Sequence, residues 1–481
     1  MVDARPLLVT NGGMRMRVSN QLRISKSEPS FPIVLDWCKK ELVLANPEYV
    51  KKSRMGFWIG NTPKTISLYE IDGDDLVLPY GCLNNVFRLS PFIDVQMKFV
   101  EHDRIDYGCD IPLYDYQQDA VNALVESGKG ILQSAAGSGK TQIGIATAVS
   151  LGCKTLWLCH TLDLVRQSKN RAEQYMSPSL TGTITEGRVQ IGKAITFATV
   201  QTMCNLDLGR YRDVWDCIIV DECHRVAGTP TSVTQFSKVL NSLAARHKYG
   251  LSATVHRADG MIAATYALLG QIAYQVPDAA VAEKVMTVSV LPRPTHQGLS
   301  REFLDTDGTI IYAKLVNFLA DRYDRNELIA ADLVENRNHY NLILSDRLSH
   351  LEYLMKHLPH DLRDQAVMVD GKMTSKKAKA MREQAIEDMR QGRKRYLFAT
   401  YSLAKEGLDI PRLDRLYLAT PQKDYAVITQ SIGRIARTFE GKGEPIAYDY
   451  VDDGIQYLVR SYKKRCTTYR KAGCKFIDGE N

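Results

Sequence analysis

The stretch from Ser134 to Thr141, Ser-Ala-Ala-Gly-Ser-Gly-Lys-Thr, constrains the fold of this chain more than any other. Gly130-Ile131-Leu132-Gln133 before it is short and apolar enough to be a buried strand. Gln142 to Val149 after it has helical spacing. The glycines therefore sit on a strand-to-helix turn, the context in which a glycine-rich loop cradles phosphate. Backbone N–H groups around Gly137, Ser138 and Gly139 curl round an anion, and the helix N-terminus adds positive potential. In such a loop Lys140 reaches the β- and γ-phosphates of a nucleotide and Thr141 holds Mg²⁺. Ser134 stands where the general pattern has Gly.

The residues this loop needs are found on both sides of it. Asp216 to Val220 reads as a buried strand that ends in Asp221-Glu222-Cys223-His224. Two adjacent acids at such a strand end are expensive to desolvate without a purpose. Asp221 is expected to hold Mg²⁺, and Glu222 to orient and deprotonate the attacking water. Gln117 lies 23 residues before Lys140. Its amide offers one donor and one acceptor, which match the N6 and N7 edge of adenine. Nearby Tyr114 has a ring that stacks on a base.

Two further βα units follow the loop helix. Lys154 to Cys159 is a strand that ends at His160-Thr161, and Ala194 to Ala198 is one that ends at Thr199-Val200-Gln201. Ligand-contacting groups in parallel sheets sit just past the C-terminal strand ends. Lys248 to Thr254 is a strand closing on Ser252 and Thr254. From Asn338 a second alternation begins, with strands at 340–344, 366–369, 395–399 and 415–419 and a helix opening at Gln430. Alternating strands and helices give a parallel sheet. The fold class is α/β. The divisions are residues 1–108 as a small α+β accessory domain, 109–290 as the first sheet domain, 291–325 as a connector broken by Pro292 and Pro294, and 326–481 as the second.

Composition narrows the class. At 44% hydrophobic and 24% charged, with no run of eighteen apolar residues, the chain reads as globular, with no membrane partner. No basic-then-apolar leader opens it. The ten cysteines lack metal-ligand spacing and read as reduced structural thiols, which suits a cytoplasmic protein. The net charge of +7 permits a nucleic-acid partner without requiring one.

Two basic stretches each have two readings. Lys51, Lys52 and Arg54 beside Phe57 and Trp58 form either a nucleic-acid surface or a solvated turn next to a core strand running Phe57 to Gly60. Arg460 to Lys475, with seven Lys or Arg and no acid, is either a nucleic-acid contact or a solvated terminal helix. Asp94 and Lys98 with Asp72, Asp74 and Asp75 upstream faintly match a nuclease site. An alternating edge strand explains them more simply.

The order of these stretches resembles the superfamily 2 helicases and translocases over residues 111 to 452. The match takes in the Gln117 block, the glycine loop, His160-Thr161, Thr199 to Gln201, Asp221 to His224, Ser252 to Thr254, Thr400 to Pro411, and Gln430 to Arg437. Gly250 to Thr254 with Arg257 to Gly260 resembles the DNA-directed XPB-type and UvsW-type group. Tyr114 stands where that family often has Arg, and Val255 and His256 where Pro is usual. The resemblance implies two RecA-like domains in tandem with ATP and Mg²⁺ between them. It assigns Arg434 and Arg437 as arginine fingers, Gly407 and Asp409 to the ribose side, and Gln430 to the γ-phosphate side. It makes His224, Ser252 and Thr254 coupling residues. His160, Thr161, Thr199, Gln201, Ser345, Arg347 and Thr400 grip a nucleic-acid backbone in it, with stepping 3′ to 5′ along one strand. The leading expectation is an ATP-driven DNA helicase or translocase acting on forked or branched DNA. An RNA helicase, a motor subunit of a nuclease complex and a nucleotide-gated binding module are the alternatives.

Overall fold

The computed structural model describes residues 16–135, 137–227, 229–253, 261–277, 280, 285–370, 376–405, 408 and 410–477. The chain divides into two compact units, one running to Val276 and one beginning at Pro277. Each is built on a parallel sheet of the RecA-like kind.

Among the described residues the first unit carries two main sheets and a two-stranded pair, Val43–Ala45 with Thr65–Ser67. Its N-terminal part is the expected α+β fold, with five strands in the order Glu70–Asp72, Asp75–Pro79, Gln21–Ser25, Met16–Val18 and Val95–Met97. Leu22 and Ile24 alternate inward along their strand, and helix Phe31–Glu41 buries Phe31, Val34 and Cys38 onto the same core. The strand expected from Phe57 to Gly60 does not form. Those residues lie in an exposed loop between helix Pro47–Arg54 and strand Thr65–Ser67. The nuclease-like carboxylates are committed elsewhere: Asp72 pairs with Arg23 at 2.8 Å, and Asp75 pairs with Arg17 and Arg23.

This N-terminal fold is not a detachable domain. Its core is continuous with Ala227, Val233, Met261, Ala264 and Ala267 of the neighbouring sheet domain. A side chain on Gly81 would run into the backbone of Tyr266, Ala267 and Gly270 at 2.5–2.6 Å. The buried C-terminus of helix Pro230–Ser242 is capped from outside it. Lys248 Nζ donates to Leu240 O at 2.6 Å, and Asn20 Nδ2 donates to Asn241 O. Carbonyls at a helix end have no partner within the helix, so buried ones need such donors.

The larger sheet of the first unit has eight strands. In spatial order they are Arg188–Gln190, Thr181–Thr185, Ile195–Thr199, Thr155–Cys159, Cys217–Asp221, His247–Ser252, Lys129–Gln133 and Ile272–Gln275. Among the described strands of this sheet, only Arg188–Gln190 pairs antiparallel. The central strands are buried on both faces, which is why they read as unbroken apolar runs.

Among its described residues the second unit has seven parallel strands, ordered Ala366–Val369, Tyr396–Thr400, Asn341–Ser345, Arg415–Leu418, Ile446–Val451, Ser289–Pro294 and Lys475–Phe476. The domain boundary therefore falls at 276/277, not at 290/291, and 291–325 is not a connector. Ser289–Pro294 pairs along its whole length with Ile446–Val451. Its other side is paired only at Ser289 and Val290, so Pro292 and Pro294 sit where the ladder is open and a missing N–H costs little. Helix Tyr312–Ala320 packs Leu315 and Leu319 with Ile455 and Leu458. No helix among the described residues is long and apolar enough to cross a membrane.

Candidate nucleotide site

The glycine loop is pinned before it turns. Ser134 N–H donates to Ser252 O at 3.0 Å, so the loop leaves its strand tied to the end of the next one. Gly137 and Gly139 then adopt φ of +87° and +81°, which L side chains rarely take. Gly139 begins helix Lys140–Leu151, whose first turn carries no acid to neutralise its positive end. Lys140 Nζ folds back to Ser134 O and Ala135 O, both at 3.3 Å.

Gln117 sits against this loop. A Cβ on Gly139 would overlap its Nε2, so only glycine permits the approach. Gln117 is on helix Asp115–Ser127, where its Oε1 accepts from Tyr114 N–H at 3.0 Å. The half-exposed Tyr114 ring stacks on Tyr116 at 5.9 Å. One glutamine thus caps its own helix and lines the loop.

Strand Cys217–Asp221 delivers the two acids to the same sheet edge. Asp221 is buried, and its Oδ2 accepts from Ser168 Oγ at 3.1 Å. Burial raises its carboxyl to about 6, with the Glu222 charge adding to the rise and Lys140 opposing it. Glu222 has φ +49°, a left-handed backbone rare outside glycine. Such conformations cluster at functional sites because the surroundings must enforce them. Its Oε2 lies 3.2 Å from His224 Nδ1, and that same nitrogen lies 3.1 Å from Ser252 Oγ. Glu222 and Ser252 therefore both approach His224 Nδ1, at the strand end that also anchors the glycine loop.

The remaining sequence-selected residues of the first unit lie at the same strand ends. Thr161 and Thr199 cap their helices, accepting from Leu164 N–H and Thr202 N–H at 3.4 Å each. Gln201 Nε2 lies 3.3 Å from His160 Nδ1. Burial, aided by Arg225 and His224, holds His160 below its ordinary value. Ser168 was not signalled by the sequence; it is one serine among many until the fold turns it onto Asp221.

In the second unit, Ser345 is fully buried. Its hydroxyl lies 3.2 Å from His350 Nδ1 and accepts from Arg347 N–H at 3.0 Å. Arg347 donates to Asn317 Oδ1 at 2.5 Å and to Ala313 O at 3.2 Å, so both residues already have structural work. Thr400 Oγ1 lies 2.9 Å from Ser402 Oγ. Gln430 is buried on helix Tyr425–Ile435, Arg434 lies in that helix's last turn, and Arg437 follows just beyond it. Thr254, Val255, His256, Arg257 to Gly260, Gly407 and Asp409 lie outside the described residues.

A magnesium nucleotide fits the residues present in the first unit. The loop that only glycine can form, an unneutralised helix N-terminus and Lys140 suit the phosphates. The Thr141 hydroxyl and Asp221, whose charge burial disfavours until a cation arrives, suit Mg²⁺.

Comparison with known proteins finds helicase relatives. The family described as "Type III restriction enzyme, res subunit" matches residues 110–257, and "Helicase conserved C-terminal domain" matches residues 325–439. A probable helicase of Escherichia phage T5 is 26% identical over 349 residues, covering 72% of this chain and 73% of that one. The DNA 3′-5′ translocase XPB2 of Sulfurisphaera tokodaii is also 26% identical, over 389 residues, covering 74% and 85%. Among solved structures, S. cerevisiae Dbp5 bound to RNA and ADP BeF3 superposes with a TM-score of 0.52, covering 76% of this chain and 94% of that one. At 14% identity that likeness concerns the fold alone.

Proposed function

We propose that this chain, which belongs to the superfamily 2 helicases, is an ATP-driven motor on DNA that steps 3′ to 5′ and remodels forked or branched substrates. The observation that carries the motor reading is the approach of Glu222 and Ser252 to His224 Nδ1. It joins the acid that would activate water to the strand end that anchors the phosphate loop. A module that merely binds nucleotide needs no such link. In the proposed cycle Gln117 and Tyr114 take the adenine, and Lys140 with the loop amides takes the phosphates. Thr141 and Asp221 would hold Mg²⁺, which would neutralise phosphate charge, and Glu222 would accept the proton of the attacking water. Arg434 and Arg437 act on the transferring phosphoryl group, with Gln430 beside them. His224 changes partner between Glu222 and Ser252 as the γ-phosphate leaves, which transmits hydrolysis to the strand-end loops.

DNA is read as the substrate from the similarity to the archaeal DNA translocase, which spans most of both chains. RNA stays the alternative to test, because a putative RNA helicase of Acanthamoeba polyphaga mimivirus is 25% identical over 73% of this chain. Branched DNA is favoured by the N-terminal arm Val43–Ser67. There Trp58 is 88% exposed, and Phe57 and Met55 are more than half exposed beside Lys51 and Arg54. Lys52 is tied to Glu48 and Thr62 at 2.8 Å, whereas Lys51, Arg54 and Lys64 are exposed cations of the arm. Exposed rings next to cations suit an opened strand junction.

The test compares ATP hydrolysis and strand separation over single-stranded, duplex, forked and four-way DNA, with matching RNA. Stimulation by DNA and slower fork processing by Trp58→Ala, with single-strand-stimulated hydrolysis retained, are expected. Stimulation by RNA alone would replace the DNA reading, and full junction processing by Trp58→Ala would remove the arm from it. A point substitution is needed because deleting the N-terminal fold would strip the apolar cover from Val233, Met261 and Ala264.

A further inference from the structure

The chain's net charge is concentrated in one place. Of 62 Lys and Arg, seven lie between Arg460 and Lys475, where there is no acid; the other 55 are balanced by 55 Asp and Glu. Helix Gln456–Lys471 sorts these cations by face. Arg465 is buried and clamps Asp449, with Nε and Nη2 each 2.8 Å from a carboxylate oxygen, and Tyr469 donates to the same carboxylate at 2.7 Å. Leu458, Ser461, Cys466 and Thr468 complete the inward face. The other six cations, Arg460, Lys463, Lys464, Arg470, Lys471 and Lys475, are exposed, and none forms an ion pair among the described residues. Arg460 faces Lys463 and Lys464 at the helical spacings where like charges repel. The fold holds a cationic stripe on this helix face, with Arg470 and Lys471 in the last turn, where the negative end of the helix favours them.

The stripe has a direction. Strand Ile446–Val451 ends at the rim where every parallel strand of this sheet ends, and helix Gln456–Lys471 starts there. Lys475, past the helix, pairs with Ser289, the first residue of its strand, at the opposite edge of the sheet. From Arg460 to Lys471 the stripe is about 16 Å long at 1.5 Å per residue. It runs from the rim down the flank of the unit, away from the strand-end loops that a tracked single strand would occupy.

We propose that this helix face is a second nucleic-acid surface, which holds a duplex arm of the DNA by its phosphates. The inference rests on the reading of the chain as a DNA motor. The uncompensated charge complements a polyanion. The absence of aromatic rings among its exposed residues suits a stacked duplex, whose bases are not offered for stacking.

The experiment measures binding of a short labelled duplex and of the matching single strand across about 50 to 200 mM salt. It compares wild type with a protein carrying Arg460→Gln, Lys463→Gln, Lys464→Gln and Lys471→Gln. Arg470 is kept because its guanidinium lies over the Phe476 ring at 5.6 Å. Each duplex phosphate contact contributes about 0.9 to the slope of log affinity against log salt, so losing four shrinks that slope by about 3 to 4. Duplex affinity is expected to fall roughly tenfold or more at 0.1 M salt, with single-strand affinity changed by less than about twofold. A second variant with Lys463→Arg, Lys464→Arg and Lys471→Arg keeps the charge and is expected to keep the slope. An unchanged duplex slope in the Gln variant overturns the proposal, as does a weaker affinity that the Arg variant shares. Equal losses on both substrates overturn the duplex assignment. Failure of the motor reading looks different: wild type would then show no hydrolysis stimulated by nucleic acid.

Discussion

Lys248 offers a direct measure of how tightly the N-terminal fold is built into the first RecA-like domain. It is fully buried, and burial pushes its ammonium down from the ordinary 10.5 to about 7. Its Nζ donates to Leu240 O at 2.6 Å and to Asn20 O at 3.2 Å, and lies 5.3 Å from the Tyr80 ring centre. A neutral amine has two N–H donors, enough for both carbonyls. Between pH 7 and 10.5 the unfolded chain holds a proton that the folded chain has released, so stability rises with pH across that window. Below pH 7 both states are protonated and the desolvation cost is at full size, about 5 kcal/mol at 1.36 kcal/mol per unit. Lys248→Met removes this dependence. It also strands two carbonyls, at about 1–3 kcal/mol each, a loss that does not change with pH. The readout is therefore a difference of slopes. From about pH 7.5 to 9.5 wild type is expected to gain roughly 2–3 kcal/mol of stability relative to the variant. Urea unfolding followed by tryptophan fluorescence measures it, since Trp37, Trp58, Trp157 and Trp215 all lie in the first unit. Parallel pH profiles would refute the reasoning and mean that Lys248 stays charged, held by the helix C-terminus and the Tyr80 ring.

Lys140→Ala is expected to abolish ATP turnover in a folded protein, whereas Glu222→Gln should bind ATP and hydrolyse it about 100-fold more slowly or worse; nucleotide binding and steady-state hydrolysis separate the two. Arg434→Ala and Arg437→Ala should each lower kcat by about 10³-fold with little change in ATP affinity, and an effect confined to KM would mean that they bind the ground state. Ser252→Ala removes one of the two partners of His224 Nδ1 and should leave nucleic-acid-stimulated hydrolysis within a few-fold of wild type while strand separation falls. Proportional loss of both activities would contradict the coupling role.

The candidate nucleotide site was legible in the sequence because its chemistry tolerates few residue types. Glycines at positive φ, a lysine at a helix start and two acids at a buried strand end each leave a local mark, and the fold brings Gln117, Gly139 and Asp221 to one sheet edge. What the sequence hid depends on contacts between distant segments. Ser168 becomes a partner of Asp221 only when its helix packs on that strand. Pro292 and Pro294 read as breakers, although an open side of the sheet accepts them. Phe57 to Gly60 alternates like a strand, yet no partner strand lies beside it, and its rings face solvent. The short strands Thr181–Thr185, next to one edge, and Ile272–Gln275, at the other, extend the eight-stranded sheet with too little apolar text to announce themselves. Ser345 and Arg347 sit at the expected strand end, but their polar atoms serve His350, Asn317 and Ala313.

If ATP hydrolysis at this site drives movement along DNA, the polarity of the single-stranded tail governs fork opening. Strand separation is followed in real time on two forked duplexes that differ only in whether the single-stranded tail ends 3′ or 5′, with ATP and Mg²⁺. ATP-dependent separation of the fork with the 3′ tail is expected, with markedly slower separation of the fork with the 5′ tail and none with Lys140→Ala. Separation that proceeds equally with Lys140→Ala, or hydrolysis that DNA does not stimulate, would contradict the motor reading.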